Sequence, residues 1–90
     1  MTGLVVIGLM AGTSVDGIDA AVLQTDGRNF QALGYRSVYG YRNETRNAIW
    51  TAVANPDAHV RDESMRVNLD RLIAEDHARA VRKLVDANGF

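Results

Sequence analysis

The chain has 90 residues, of which 47% are apolar, 10 are Lys or Arg and 11 are Asp or Glu. This length allows one small domain at most, and the apolar content is sufficient for a hydrophobic core. The absence of cysteine excludes a disulfide framework, a cysteine-based zinc site and thiol catalysis. No apolar run reaches the length of a membrane span, and no basic leader precedes one, so we predict a cytoplasmic protein that does not contact membranes.

The net charge of −1 is unevenly distributed along the sequence. Residues 1–27 contain three aspartates and no basic residue, whereas residues 28–90 carry a net charge of +2. Because there is no basic stripe with interleaved aromatic residues, the sequence does not support nucleic-acid binding.

The first part of the sequence has the pattern of three antiparallel strands. Residues 3–10 are apolar apart from their glycines, as in a strand that is covered on both faces. A turn rich in glycine and hydroxyl side chains follows, and a second strand is predicted over 17–24. Asp26 and Gly27 mark a hairpin turn before a third strand over 29–41.

The apolar residues then recur at helical spacing. Asn43 is expected to cap a helix over 44–54, which ends before Pro56. A longer helix is predicted over 63–87, with Glu75 and Arg79 as an i,i+4 ion pair on its solvated face. The fold class is therefore α/β, or α+β in this truncated form, with a three-stranded antiparallel meander followed by two helices.

The predicted first strand has no neighbour on its far edge. Native proteins avoid long apolar edge strands, because unpaired N–H and C=O groups recruit other chains. We therefore expect the chain to be the N-terminal piece of a larger protein and, when isolated, to form a homodimer or higher oligomer.

The turn between the first two strands carries most of the chemical information. A tight turn of glycine and hydroxyl residues can aim successive backbone N–H groups into a concavity that binds an anion. Thr13 and Ser14 add hydroxyl donors, and Asp16 and Asp19 offer the oxygen ligands that suit Mg²⁺. Because the local charge is negative, a phosphate would require an accompanying divalent cation. An ordinary hairpin turn has the same pattern, so the residues alone leave both interpretations open.

Other motifs and residues have simpler explanations. A Walker P-loop is excluded, since it needs a lysine within the loop and the only lysine is Lys83. His59 and His77 have no partner at metal-ligand spacing and are interpreted as surface or boundary residues. The aromatic residues fit packing between helix and sheet better than a sugar-stacking platform; they are Tyr35, Tyr39, Tyr41 and Trp50.

Residues 8–20, with the sequence GLMAGTSVDGIDA, resemble the opening of the anhydro-N-acetylmuramic acid kinases, whose characteristic form is G-x-M-S-G-T-S-x-D-G-x-D. The stretch 69–81 is similar to the second N-terminal helix of that family, so the resemblance spans essentially the whole chain. Two positions depart from the pattern: Ala11 replaces the usual serine, and Ala74 lies where glycine is frequent.

The resemblance implies a sugar kinase of the actin, heat-shock chaperone and hexokinase superfamily, with residues 1–90 as the N-terminal part of a first, ribonuclease H-like (actin-like) ATPase domain. Such kinases use ATP to phosphorylate 1,6-anhydro-N-acetylmuramic acid at O6 while water opens the anhydro ring. The product, N-acetylmuramate 6-phosphate, enters peptidoglycan recycling. The catalytic base belongs to a later part of these enzymes, so no catalytic residue is expected in this chain, which alone should be inactive.

The resemblance also implies the site residues. Many members of the superfamily have an acid two residues before the first glycine of the loop, a place that Met10 occupies here. The implied Mg²⁺ role therefore falls to Asp16, Asp19 or residues outside the chain. Two other functions stay open: a chaperone-type ATPase of the same fold, or a purely structural, dimerising fragment. The implied ATP-phosphate-binding residues are Gly12, Thr13, Ser14, Val15, Asp16, Gly17, Ile18 and Asp19.

Overall fold

The computed structural model describes residues 3–12 and 14–89. It confirms the predicted order, in which three antiparallel strands precede the helices. None of its helices has the length and apolarity of a membrane span within the described part of the chain. The elements are β1 (Leu4–Ala11), β2 (Ile18–Thr25), β3 (Phe30–Tyr39), α1 (Asn43–Ala54), α2 (Pro56–Arg61) and α3 (Glu63–Asn88).

The three strands form one sheet in the order β1-β2-β3, with β2 in the centre. The pairing of β2 with β3 changes register part-way along. Ala21 lies opposite Arg36, but Leu23 lies opposite Ala32, so three residues of β3 face a single residue of β2. Gly34 lies within this bulge and has a φ of 84°, a conformation that glycine adopts without steric cost.

The core lies between the sheet and α3, which packs against β2 and β3. Alternate residues of β2 are buried on this side, as expected for a strand with one covered face. The opposite face is open in the described part of the chain, where Leu4, Met10 and Val38 are exposed. Apart from Leu72, the buried hydrophobic side chains form two clusters: one of Val15, Ile18, Tyr41 and Ala80, and one of Ala20, Val22 and Leu84.

The ends of α3 agree with the sequence signals. The side chain of Asp62 accepts a hydrogen bond from the Met65 backbone N–H at 3.1 Å, which caps the helix at its start. Gly89 ends it in the left-handed conformation, with a φ of 73°.

The start of α1 and the region after it differ from the predictions. Asn43 is the first residue of α1 rather than its cap, and Arg42 holds the cap position without a side-chain hydrogen bond to the helix. Pro56 ends α1 as predicted but also begins the short helix α2, because proline is well tolerated at the first position of a helix.

Candidate functional site

Residues 12–17, which we call the β1–β2 loop, connect β1 to β2. The Ser14 hydroxyl donates a hydrogen bond to Asp16 Oδ1 at 2.6 Å. Gly12, Ser14 and Asp16 are exposed, whereas Val15 is buried. Thr13, which the resemblance also assigns to the site, lies outside the described residues. The loop therefore presents polar groups to solvent around one side chain that points inward.

Val15 holds an unusual backbone conformation. Its φ is 58°, in the left-handed region that β-branched residues rarely enter. Such strain persists only where the surrounding structure enforces it. Here the side chain is held in the core cluster with Ile18, Tyr41 and Ala80. Core packing therefore fixes the shape of the loop.

The two glycines of the β1–β2 loop have different surroundings. A Cβ atom at Gly17 would lie 2.7 Å from the carbonyl oxygen of Tyr39, so the chain itself requires glycine there. A Cβ atom at Gly12 would meet only the Ser14 hydroxyl, at 3.8 Å, which is an ordinary contact. The described residues therefore do not themselves require glycine at this position.

The Asp16 carboxylate is stabilised by groups within the loop. Hydrogen bonding from the Ser14 hydroxyl is the largest cause that lowers the pKa of Asp16, followed by hydrogen bonding from backbone N–H groups of the loop. Desolvation by neighbouring atoms opposes this shift, and the positive charge of Arg46 on α1 adds to it. The donors that stabilise this carboxylate are of the kind that also bind phosphate.

Asp19 has different surroundings from Asp16. It lies on β2 between Met10 of β1 and Val38 of β3, on the open face of the sheet. Its side chain is exposed and makes no hydrogen bond or ion pair with the described residues. No cluster of three or more acidic or histidine side chains suited to a metal ion occurs in the described ranges. Any metal held here would thus have few protein ligands.

Ile18 and Val15 belong to the implied phosphate segment but are buried in the core. Their side chains cannot contact a ligand, so only their backbone groups could take part. The structure thus divides the described part of the segment into residues with exposed side chains and residues whose side chains are buried in the core.

An ion-pair network absent from the sequence-based predictions lies behind the loop. Asp76 of α3 is fully buried and accepts hydrogen bonds from Arg42 at both oxygens, from Nε at 2.5 Å and from the backbone N–H at 3.3 Å. Glu75 pairs with Arg42 and with Arg71, each at 3.0 Å. The predicted Glu75–Arg79 pair is therefore wrong, because Glu75 turns toward Arg42 at the start of α1. Asp76 lies one turn before Ala80 on the buried stripe of α3, which is the signal that could have identified it.

The aromatic residues divide between core and surface. Tyr41 is buried and Tyr39 packs against the same cluster, as predicted. Trp50 is 47% exposed and lines an apolar cleft of about 450 Å³ between the loop, α1 and α3, so its predicted packing between helix and sheet is wrong. The lining of this cleft includes Gly12, Val15, Ile49, Trp50, Leu69 and Ile73.

Comparison with known proteins decides the family. The sequence profile described as anhydro-N-acetylmuramic acid kinase matches residues 4–90. The chain belongs to the anhydro-N-acetylmuramic acid kinase family. The resemblance at the β1–β2 loop thus reflects a relationship that extends over the whole matched range.

Individual members of the anhydro-N-acetylmuramic acid kinase family show the same similarity. The protein of that name from Azorhizobium caulinodans is 40% identical over 84 residues, which are 90% of this chain and 23% of the relative. The relative from Acidiphilium cryptum is 37% identical, and the match covers 93% of this chain and 24% of the relative. The relative from Rhodospirillum rubrum is 36% identical, and the match covers 92% of this chain and 22% of the relative. The chain thus spans about a quarter of the length of these kinases. A search of the solved structures finds no match.

Proposed function

We propose that the chain is the N-terminal, ATP-phosphate-binding segment of a kinase that phosphorylates 1,6-anhydro-N-acetylmuramic acid at O6. In the same reaction water opens the anhydro ring, so the product is N-acetylmuramate 6-phosphate. The observation that carries this proposal is the match to the kinase family over residues 4–90, which contains the exposed glycine and hydroxyl residues of the β1–β2 loop. A chaperone-type ATPase is disfavoured, because the matched family phosphorylates a sugar.

The sheet and α3 form the first part of an actin-like ATPase domain in this proposal. The β1–β2 loop then approaches the phosphates of ATP. The Ser14 hydroxyl orders the loop through its hydrogen bond to Asp16, and Gly12 allows close approach because a Cβ atom there would meet only an ordinary contact. The donors to the phosphates are backbone N–H groups of Gly12 and of residues 14–17, while the Val15 and Ile18 side chains anchor the loop in the core. Phosphate binding of this kind positions ATP and stabilises charge that develops during transfer.

Asp19 is the better candidate for a Mg²⁺ ligand. The register places it directly opposite Met10, where related ATPases have an acid, and directly opposed residues have Cβ atoms about 5 Å apart. Asp19 can therefore replace that acid from the neighbouring strand. Mg²⁺ in kinases is typically held by one or two carboxylates together with phosphate oxygens, so the available residues fit it. Bound there, the ion would neutralise phosphate charge, while Asp16 shapes the loop through Ser14.

The catalytic base and most sugar contacts belong to the remaining three-quarters of the enzyme in this proposal. The 90-residue chain alone should therefore show no kinase activity, because the reaction needs a base and a closed cleft that position both substrates. Phosphorylation by the purified chain above the level of a buffer control would contradict this assignment.

The loop assignment is tested in the full-length kinase by Gly12→Val. Because the chain leaves open space at Gly12, the variant should fold normally but lose at least ~100-fold in phosphorylation of the anhydro sugar. Ala32→Val is the control, since it enlarges an exposed side chain on β3 at the end of the sheet away from the loop. Near-normal turnover of Gly12→Val would refute the assignment of the loop.

The metal assignment is tested by comparing Asp19→Asn with Asp16→Asn in the same enzyme. Asp19→Asn should raise the Mg²⁺ concentration needed for half-maximal activity, because it removes a charged oxygen ligand. Asp16→Asn should leave the Mg²⁺ concentration needed for half-maximal activity unchanged and should instead weaken the hydrogen bond from Ser14 that shapes the loop. Unchanged Mg²⁺ titrations in both variants would place the metal ligands outside this segment.

A further inference from the structure

The segment from Tyr39 to Arg42 supports the β1–β2 loop at two points. Gly17 lies against the backbone of Tyr39, too close for a Cβ atom. The Val15 side chain packs in the same buried cluster as Tyr41. The second half of the loop therefore rests on this one stretch of chain on both sides of Asp16, and the position of the stretch affects where the backbone N–H groups of that half point.

The same segment is anchored to α3 by the buried carboxylate of Asp76. This side chain is 0% exposed and accepts hydrogen bonds from the Nε–H and from the backbone N–H of Arg42. A buried carboxylate requires such partners, and a charged group that receives two hydrogen bonds holds them in a narrow geometry. The backbone contact is decisive, because it fixes the main chain one residue after Tyr41.

We propose that Asp76 and Arg42 form a positioning pair that holds the β1–β2 loop in its phosphate-binding shape, acting through Tyr41 on Val15. Asp76 makes no hydrogen bond to the described residues of the loop and is not a catalytic residue. Its effect passes through the strained backbone of Val15, which keeps its φ of 58° only while its side chain stays seated against Tyr41. This inference rests on the proposed role of the loop in binding ATP.

The test compares the binding of ATP and of adenosine by isothermal titration calorimetry in the full-length kinase, with and without Asp76→Asn. Loss of the carboxylate should raise the Kd for ATP at least about tenfold, since small misplacements of positioned donors have large effects. The Kd for adenosine should not change, because adenosine has no phosphate for the loop to bind. A general loss of stability would instead affect both ligands equally.

Glu75→Gln is the matched control. Glu75 also contacts the Arg42 guanidinium, at 3.0 Å, but it is partly exposed and does not receive the backbone N–H. Its substitution should leave both Kd values within about twofold of wild type, as expected for a solvent-exposed ion pair. An ATP-specific loss as large as that of Asp76→Asn would overturn the role given to the buried carboxylate.

Val15→Gly provides a second variant in case Asp76→Asn does not fold. Glycine adopts a positive φ freely, so this change keeps the loop conformation accessible but removes the side chain that seats on Tyr41. It should show the same selective loss of ATP affinity, and unchanged ATP binding would overturn the proposed route. If the wild-type enzyme binds ATP no more tightly than adenosine, the proposed phosphate-binding role of the loop is refuted. If the wild type binds ATP more tightly than adenosine and the variants have the same Kd for ATP as the wild type, only the positioning pair is refuted.

Discussion

The backbone of Gly17 lies against the carbonyl group of Tyr39, where a Cβ atom would come within 2.7 Å of the oxygen. Gly17 has no positive φ, so its requirement for glycine arises from this close approach rather than from backbone conformation. The contact joins the end of the β1–β2 loop to the end of β3. It makes Gly17 a structural glycine, in contrast to Gly12, which faces open space.

Gly17→Ala is therefore expected to destabilise the fold. Relieving a 2.7 Å contact with backbone requires the loop or β3 to shift, and overpacking of this kind costs about 1–3 kcal/mol. Chemical denaturation monitored by circular dichroism measures the change, with Gly40→Ala as the control in open space. Equal free energies of unfolding for the two variants would show that the loop can shift away from Tyr39 without loss of stability.

Thr45→Val is expected to stabilise the protein. The Thr45 side chain is fully buried on α1, and its hydroxyl has no hydrogen-bond partner among the described residues. Replacing an unsatisfied buried hydroxyl with a methyl group of the same shape should raise the free energy of unfolding by about 1 kcal/mol. Thr51→Val, on the exposed side of the same helix, removes a satisfied hydroxyl and should give no gain. A loss of stability in Thr45→Val would mean that this hydroxyl has a partner in the folded protein.

Ser14→Ala is expected to raise the pKa of Asp16 toward its ordinary value, because it removes the hydrogen bond that lowers this pKa most. In the wild type the folded-state pKa lies below the unfolded value of 3.8. Asp16 therefore contributes stability above pH 3.8 that is lost as the pH falls through the folded-state pKa. The variant should lose less stability in that acidic window.

Carboxyl NMR titration measures this change directly. Asp26 serves as the internal reference, since its pKa is lowered by backbone N–H groups of Asn29 and Arg28 at the other end of the sheet. Its titration should be the same in wild type and in Ser14→Ala. A pKa of Asp16 that does not move would show that the backbone donors, not the hydroxyl, hold the carboxylate.

The isolated 90-residue chain is expected to form a dimer or higher oligomer through β1. This strand pairs only with β2 in the described part of the chain and exposes apolar side chains along its edge. Val5→Lys should shift the chain toward monomer, since a charge on an edge strand opposes further pairing. Val60→Lys on α2 is the control, because Val5 and Val60 are 62% and 63% exposed. Light scattering across a dilution series distinguishes these states, and a wild-type monomer at high concentration would contradict the prediction.

The strands and the long helix could be predicted because their signals are local. Residue periodicity locates β1, β2 and α3, and Asp62 and Gly89 mark the ends of the helix. The same local reasoning missed α2, because Asn55 and Pro56 also mark the end of α1. A proline that breaks one helix can begin the next, and only packing against α3 decides between the two outcomes.

The less predictable features of the site depend on contacts between distant residues. The glycine, hydroxyl and acidic residues of the loop indicate its chemistry from the sequence alone. The positive φ of Val15 could not be predicted in this way, because β-branched residues prefer a negative φ. It follows from packing against Tyr41 and Ala80, which are far away in sequence. The ion pair between Asp76 and Arg42 likewise joins residues that are 34 positions apart in the sequence, so no local sequence pattern predicts it.

The bulge at Gly34 divides the β2–β3 hairpin into two separately paired blocks. One block, at Ile18–Ala21, is continuous with the loop and anchored by the core, while the other, at Leu23–Thr25, ends at the exposed Asp26 turn. Local unfolding of the hairpin that starts at the Asp26 turn reaches the irregular pairing at Gly34 before it reaches the β1–β2 loop. Amide hydrogens near Thr25 and Phe30 can therefore exchange with solvent through local opening, while those near Ile18 and Tyr39 exchange only when the core unfolds.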